Sequence, residues 1–254
     1  MATPREINRH MKSVGNIGKI TKAMKMVAAA RLRRAQEKAA ASRPYAIKIK
    51  EVLSNVVSDP SVLAGLDAKK HPLLQKREVQ KVGYLVLCSD KGLAGAYSSN
   101  ALKMAVAEIS ECEDEVVVIT CGRKARDFFT RRGFNVIQSH IGFSDRPTYE
   151  NAVDIAQDAI KTFANEGFDK LNIIYTVFKT ALSQVPTSEV ILPVEPPVKE
   201  EGKAQASFMF EPGEDDTLTV LAPKYLETVV YAALVQSAAS ELGSRMTAMS
   251  SATD

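Results

Sequence analysis

The most constraining feature of this chain is its first segment, which keeps a helical pattern from Thr3 to about Val57 without a loop signal. Thr3 can cap the helix, Pro4 suits its first position, and Glu6 can bond back to Thr3. At 1.5 Å per residue, such a helix would be roughly 80 Å long, more than a domain of this size can bury. Pro44 removes one backbone hydrogen bond inside it, which predicts a bend rather than a break. The chain must therefore place a rod outside its globular part.

Apolar and small residues form two stripes along this rod. The downstream stripe advances by steps of three and four residues, with Ser42 filling its one gap, and is typical of a coiled-coil seam. It consists of Leu32, Ala35, Ala39, Ala46, Ile49, Leu53 and Val56. The upstream stripe is similar but shifted in phase, and consists of Ile7, Met11, Val14, Ile17, Ile20, Met24 and Val27. The seam predicts that another helix packs along the rod.

The rod also carries the chain's surplus of positive charge. Its first 50 residues contain 13 Lys and Arg against only Glu6 and Glu37, a net charge of +11. The remaining 204 residues contain 20 bases and 28 acids, a net charge of −8. Acids are not interleaved with the bases as i,i+4 partners, so a merely solvated face explains the surplus poorly. A basic rod on a slightly acidic body predicts binding to something outside the chain.

Composition excludes several classes of protein. The chain is 45% hydrophobic and 25% charged, as ordinary soluble globular proteins are. We expect no direct membrane insertion, because no apolar run approaches the roughly 20 residues that cross a bilayer. The N-terminus has no signal-peptide h-region and does not suit a transit peptide. Cys88, Cys112 and Cys121 lack CxxC spacing, so neither zinc nor a disulfide framework is indicated; Cys88 and Cys121 are interpreted as small buried residues.

After the rod, the period of the pattern changes to that of an α/β domain. Strand-length apolar runs occur at 82–88, 115–121 and 171–178, and helical patterns lie between them at 98–110, 123–132 and 148–165. Strands that alternate with helices indicate a mostly parallel sheet. Two more strands, at 184–192 and 206–210, are joined directly and suggest an antiparallel hairpin at the sheet edge.

A second long helical pattern closes the chain near Asp216, with Pro223 expected in its first turn. Its apolar and small positions could pair with the seam of the first rod. Because the two rods lie at opposite ends of the chain, an antiparallel two-helix coiled coil on a globular foot is the most economical assembly. The expected divisions are residues 1–57 and 214–254 for the coiled-coil helices, 58–81 for a connector and 82–213 for the foot.

A glycine-rich segment, SDKGLAGAYSSN at residues 89–100, connects the first strand to a helix. Such turns can hold a phosphate at the helix N-terminus. The spacing here is GxxG rather than GxGxxG, and no GK[ST] follows. Two tight-turn glycines and a helix cap by Ser98 or Ser99 explain the segment better. No catalytic, metal-binding or cofactor-binding constellation is predicted, since HExxH, GxSxG and paired His–Cys patterns are missing from the sequence.

Two alternatives to a protein-binding rod remain open at this point. The basic residues 19–34 surround a band of apolar and small residues at 24–30, which suits a shaft enclosed by protein with bases reaching acidic loops. Nucleic acid is the competing partner for such a patch, although no aromatic residue lies among the bases for stacking. A nucleotide-binding α/β protein is the other alternative, and it depends on the glycine-rich turn.

Three motifs resemble one known family. ITKAMKMVAA at residues 20–29 resembles the N-terminal helix signature of the gamma subunit of F-type ATP synthases, and SDKGLAGAY at 89–97 resembles that family's S-D-[RK]-G-L-x-G-[AG]-[YF] turn. ASE at 239–241, RMTAM at 245–249 and SATD at 251–254 resemble its C-terminal helix. The motifs occur in the family's order over the whole chain, so the resemblance is specific.

The resemblance implies an α/β fold in which the N- and C-terminal helices form a long antiparallel coiled coil on a Rossmann-like domain. It also implies a non-catalytic central rotor shaft inside a ring of three alpha and three beta subunits, with a foot that meets the epsilon subunit and the membrane c-ring. Neither nucleic acid nor a cofactor is implied. Carried over by motif, the contacts with beta subunits would include Lys22, Met24, Lys25, Arg31, Arg33, Arg34 and Arg245. Attraction of the bases to acidic beta-subunit loops is the hypothesis for their role.

The sequence departs from the family pattern at its end. Family chains continue well beyond SATD, so roughly half of the final helix is expected to be truncated here. We also see no equivalent of the regulatory cysteine pair of chloroplast members. With no transit peptide either, a bacterial member is favoured, located peripherally at the cytoplasmic face of the cell membrane.

Overall fold

The structure is a computed structural model that describes residues 3–57, 70–194 and 214–254. Its elements, in chain order, are helix α1 (Pro4–Val57), a short 3-10 helix (Pro72–Leu74), strand β1 (Lys81–Leu87), α2 (Tyr97–Glu111), β2 (Glu115–Cys121), α3 (Arg123–Arg131), β3 (Val136–His140), α4 (Tyr149–Ala164), β4 (Lys170–Phe178), β5 (Gln184–Leu192) and α5 (Glu214–Thr253). The predicted α/β class, with a long helix at each end, is confirmed.

One five-stranded sheet forms the centre of the foot, in the order β3-β2-β1-β4-β5. Strands β1 to β4 run parallel to one another, and β5 runs antiparallel to β4. The sequence pattern did not indicate β3, because its five residues, VIQSH, are too few and too polar to read as a buried strand. The antiparallel edge strand was predicted, but its partner in the structure is β4, and the strand predicted at 206–210 lies outside the described residues.

Apolar side chains cover both faces of the sheet. On one face, Val86 and Phe129 belong to a cluster formed with α2 and α3. On the other face, Leu85 and Ile155 belong to a larger cluster that includes α4, much of α5 and Leu53 of α1. Helix α5 is therefore part of the core of the foot as well as of the coiled coil.

Helix α1 lies antiparallel along α5, as predicted. The Oγ1 atoms of Thr21 and Thr253 are 2.7 Å apart, and Leu32 belongs to one buried cluster with Leu242. In the seam, Ile49 and other apolar members are buried, which confirms the downstream stripe as the packing face. The side chain of Val56 lies outside the described part of the chain.

The upstream stripe of α1 is largely exposed in the described chain, with Met24 half-buried. Half or more of each side chain is exposed at Ile7, Met11, Val14, Ile17, Ile20 and Val27. Thr253, the last residue of α5, lies opposite Thr21. Helix α1 therefore extends alone over residues 4–20.

Details at the helix ends test several expectations. The capping box is confirmed, since the Thr3 N–H donates to Glu6 Oε2 at 2.8 Å and the Glu6 N–H to Thr3 Oγ1 at 3.4 Å. Pro223 was misplaced in the first turn, because α5 already begins at Glu214.

The expectation that no apolar run approaches membrane-spanning length was wrong for α5. By length and composition alone, this helix is long and apolar enough to cross a membrane. Half of the apolar stretch of α5 is buried inside the folded chain, as is usual for a helix that belongs to a protein core.

Candidate functional site

Three segments of the foot meet the coiled coil at the carboxyl edge of the sheet. They are the turn 90–95 after β1, the loop 142–145 after β3 and the hairpin tip 178–183 between β4 and β5. We call these three segments the collar. Because β1, β3 and β4 are parallel, their carboxyl ends lie at the same edge of the sheet. Residues far apart in sequence can therefore contact one helix there.

Asp90 joins two of the collar segments. One of its carboxylate oxygens accepts from the N–H groups of Gly142 at 2.9 Å and Ser144 at 3.0 Å, and the other accepts from Arg123 at 3.1 Å. The Asp90 N–H donates in turn to Ser144 Oγ at 2.9 Å. Partial burial alone would raise the pKa of Asp90, but these donors together lower it below its ordinary value. Asp90 is therefore an ionised anchor that fixes the loop to the turn.

The turn lies directly against α5. Ser244 Oγ donates to the Ala94 carbonyl at 2.7 Å, and Arg245 Nη2 donates to the Gly92 carbonyl at 3.2 Å. Gly95 has a φ of 54°, and a Cβ added there would lie 3.0 Å from Ser244 Oγ. Glycine at this position serves a left-handed turn and a close approach of the helix, as the tight-turn interpretation predicts. This geometry does not favour a phosphate cradle.

The cap predicted for the following helix was wrong. Helix α2 begins at Tyr97, its N-cap is Ala96, and no side chain bonds to the cap. Ser98 instead bridges back to the end of β1, with its Oγ 2.7 Å from Ser89 Oγ. Ser99 Oγ donates to the Ala96 carbonyl at 2.9 Å. Both serines lie inside the first turn of α2, where Ser98 connects the helix to the end of β1 and Ser99 bonds within the helix start.

The hairpin tip contacts a neighbouring face of α5. Thr247 Oγ1 donates to the Ala181 carbonyl at 3.0 Å. A Cβ added at Gly243 would lie 2.9 Å from the Phe178 ring, which shows how closely helix and hairpin approach. One turn earlier, Ser240 Oγ donates to a backbone carbonyl of β4 at 2.9 Å. Small and hydroxyl-bearing residues on α5 thus allow the hairpin and β4 to approach the helix closely.

A buried ion pair lies on the part of α5 inside the collar. Glu241 is fully buried, and its Oε1 is 2.7 Å from Arg245 Nη2. Burial raises the pKa of Glu241, an effect that Arg245 partly offsets. Burial, together with Glu241, also raises the pKa of the nearby Cys88 thiol to about 12 and that of Tyr97 well above its ordinary value. These two groups are therefore neutral, and the predicted burial of Cys88 and Cys121 is confirmed.

Most of the residues predicted to bind a partner lie on the outer surface of α1. The exposed ones are Lys22, Lys25, Arg33 and Arg34. Met24 is half-buried. Lys25 Nζ donates to Ser250 Oγ at 2.9 Å, and Arg33 Nε lies 3.1 Å from Glu37 Oε1. Their long side chains remain accessible, so this surface presents an array of bases to whatever surrounds it.

The other two predicted residues, Arg31 and Arg245, point into the collar. Arg31 Nη1 pairs with Asp145 Oδ2, and Lys91 Nζ approaches the same oxygen at 3.4 Å. Arg245 pairs with Glu241. Among the described residues, no group of three or more His, Cys, Asp or Glu side chains could hold a metal ion. The site is thus an arrangement of structural ion pairs and hydrogen bonds.

Known proteins share this organisation along nearly the whole chain. A family model described as ATP synthase matches residues 3–254. The ATP synthase gamma chain of Brevibacillus brevis is 46% identical over 253 residues, which cover 98% of this chain and 86% of that protein. The gamma chain of Desulfitobacterium hafniense is 42% identical over 254 residues, covering 100% and 87%. This chain belongs to the ATP synthase gamma chain family. The resemblance read from the three motifs is confirmed.

Solved structures share the fold of this gamma chain. A chain of the central stalk and c-ring structure of the Tetrahymena thermophila mitochondrial ATP synthase matches with a TM-score of 0.68 at 23% identity, covering 92% of this chain and 100% of that one. A chain of the Euglena gracilis mitochondrial ATP synthase rotor matches with a TM-score of 0.62 at 15% identity, covering 97% and 89%. The overall fold is thus common to these proteins.

Sequence reasoning missed the residues that join shaft and foot in this gamma chain. Asp90 and Glu241 were noticed only as parts of motifs, and Asp145 was not singled out. An acid inside an otherwise apolar helical stripe is a signal that could have identified Glu241. No comparable local signal distinguishes Asp145, because its partner Arg31 is more than 100 residues away.

Proposed function

We propose that this gamma chain is the central rotor shaft of an F-type ATP synthase. It couples rotation of a membrane c-ring to ATP synthesis and hydrolysis in a ring of three alpha and three beta subunits, and it carries no catalytic residues of its own. The observation that carries the proposal is a two-helix rod fixed in an α/β foot, whose longer helix continues alone with exposed bases. On this proposal residues 1–57 and 214–254 are the shaft, 82–213 the foot and 58–81 the connector.

The exposed bases of α1 support a contact with acidic loops of the beta subunits. Lys22, Lys25 and Arg34, with Arg33 and Met24, lie on the part of the rod that would turn within the ring. Exposed ion pairs contribute only about 0–1 kcal/mol each, so several would act together and weaken at high salt. Arg31 and Arg245 belong to the same proposed interface and in addition hold the collar.

The foot would contact the epsilon subunit and the c-ring. The proposed location is peripheral, at the cytoplasmic face of a bacterial cell membrane, which the bacterial gamma chains at 40–46% identity support. Half of the apolar stretch of α5 is buried inside the chain, which favours a protein core rather than lipid as the environment of this helix.

Reversal of one exposed charge tests the proposed interface. Lys25→Glu in the reassembled synthase should reduce ion-driven ATP synthesis while gamma still co-purifies with alpha and beta subunits. Lys103→Glu, on an exposed position of α2 in the foot, is the matched control and should synthesise ATP at the wild-type rate. Unchanged synthesis in both variants would rule out the interface at Lys25.

The two alternative functions make different predictions. A nucleic-acid-binding rod would bind duplex DNA without any partner protein, with an affinity that falls steeply as salt rises. A nucleotide-binding protein would show a thermal shift with ATP. We expect neither for the isolated chain, and stoichiometric recovery with alpha and beta subunits instead.

A further inference from the structure

We propose that Asp145 is a positioning residue that locks helix α1 to the foot, so that torque enters both helices of the shaft at one fixed angle. This inference rests on the proposed rotor function and deepens it. It concerns the joint between foot and shaft, whereas the exposed bases concern the joint between shaft and catalytic ring.

The need for a lock arises because the two helices are attached unequally. Helix α5 belongs to the core of the foot through residues such as Leu226 and Val230, both fully buried. It also bonds to backbone carbonyls of the turn and the hairpin through Ser244 and Thr247. Helix α1 packs mainly along α5, and it reaches the core of the foot near its own C-terminal end, through Leu53. Without a second attachment nearer the collar, the part of α1 that precedes Leu53 could roll on α5 when the foot is turned against a load.

Asp145 provides that second attachment. Its Oδ2 atom pairs with Arg31 of α1 and lies 3.4 Å from Lys91 of the turn. The Asp145 side chain is 13% exposed, against 30% for Arg31 and 68% for Lys91. Because Asp145 is partly buried, water screens its attraction to Arg31 less than it would in an exposed ion pair. The Asp145–Arg31 pair should therefore contribute more than an exposed pair does.

Apolar packing does not take the place of this pair. A cleft of about 190 Å³ lies between α1, the loop and α5, and its lining includes Arg31, Ala35, Asp145, Pro147 and Val235. Both partners of the ion pair, Arg31 and Asp145, line this cleft. At this height of the shaft, charge rather than side-chain packing joins α1 to the loop.

The loop that carries Asp145 is rigid enough to transmit force. Asp90 binds the backbone N–H groups of Gly142 and Ser144, immediately before Asp145. Asp90 itself follows β1, the central strand of the sheet. A displacement of the sheet is therefore carried through Asp90 and the loop to Asp145, and from there to Arg31 on α1.

Single-molecule rotation tests the lock directly. The wild-type complex of alpha, beta and gamma subunits is fixed to a surface, and a probe is attached to the foot at the exposed end of α2. Angular fluctuations of the probe in a stalled complex report the torsional stiffness between ring and foot. Asp145→Asn should widen these fluctuations without changing ATP hydrolysis in the unloaded complex, and Asp145→Glu should restore the wild-type width.

A matched control separates the lock from a general loss of charge. Glu115→Gln removes a carboxylate that pairs with Lys81 at 3.2 Å, joining two strands within the foot, and should leave the fluctuations unchanged. If the Asp145→Asn complex fails to assemble, Asp145→Ser removes the same carboxylate and should widen the fluctuations. Wild-type fluctuations in the Asp145→Asn or Asp145→Ser complex would overturn the inference, whereas a wild-type complex that never rotates would overturn the rotor function itself.

Discussion

Helices α1 and α5 form one coiled coil, yet the chain stabilises them by different means. Helix α5 is buried on several sides, and its residues inside the collar are small or form hydrogen bonds with the foot. Helix α1 buries one narrow seam against α5, carries bases on its remaining surface and extends alone over residues 4–20. The comparison shows that α5 folds as part of the foot, whereas α1 depends on α5 for its cover.

This difference predicts how stability is distributed along the shaft. Segments with few buried apolar contacts open locally at low free-energy cost, while core helices open only with the whole domain. Residues 4–20 of α1 should therefore exchange their amide hydrogens fastest among the helices of the described chain. The middle of α5 should be protected to the limit of global unfolding.

The largest expected effect comes from removing a buried side chain on the face of α5 that packs in the core of the foot. Leu226 is fully buried in the cluster that covers one face of the sheet, so Leu226→Ala should lower the free energy of unfolding by about 3–4 kcal/mol. Urea unfolding of the isolated chain, followed by circular dichroism, measures it. Val220→Ala is the control on the same helix, because Val220 is 65% exposed and its loss should cost less than about 0.5 kcal/mol. Similar losses for the two variants would mean that α5 is not part of the core.

The second effect concerns the anchor that fixes the loop to the turn. Asp90→Asn weakens charged hydrogen bonds to three backbone N–H groups, and it should cost about 2–3 kcal/mol at neutral pH. The folded pKa of Asp90 lies below its ordinary value of 3.8. Its stabilisation is therefore complete above 3.8 and is lost as pH falls through the folded pKa.

Urea unfolding at two pH values checks the effect at Asp90. The difference between wild type and Asp90→Asn should be full at neutral pH and should shrink at pH values below 3.8. Asp114→Asn is a suitable control, because Asp114 is exposed and lies outside the three collar segments. A pH-independent difference would show that the anchor does not act through its charge.

Local patterns predicted what depends on neighbouring residues. The period of α1 and its capping box at Thr3 and Glu6 predicted the rod, and apolar runs predicted β1, β2 and β4. The antiparallel pairing of the end helices followed from their stripes and chain positions. The joint between shaft and foot could not be predicted, because contacts such as Ser244 to Ala94 connect residues 150 positions apart. Hydrogen bonds of this kind leave no periodic signature in the sequence.

A smaller effect should come from the buried acid of α5. Burial places the folded pKa of Glu241 above its ordinary value of 4.5. The protonated form is thus favoured on folding, and its contribution to stability declines as pH rises above 4.5 through the folded pKa. Glu241→Gln should flatten this part of the profile of unfolding free energy against pH. Glu115→Gln, at an exposed position, should retain the wild-type slope, and a slope shared by all three proteins would contradict the assignment.

The smallest effect is expected where α1 lies outside the coiled coil. Ile17 is 53% exposed on the upstream stripe and has no cover from α5, so Ile17→Ser should change the free energy of unfolding by less than about 0.5 kcal/mol. Leu32→Ala, within the buried seam of the same helix, should cost about 2–3 kcal/mol in the same urea titration. A large loss of unfolding free energy in Ile17→Ser would mean that the upstream stripe packs within the isolated chain. A small loss would show that the upstream stripe is not packed within the isolated chain.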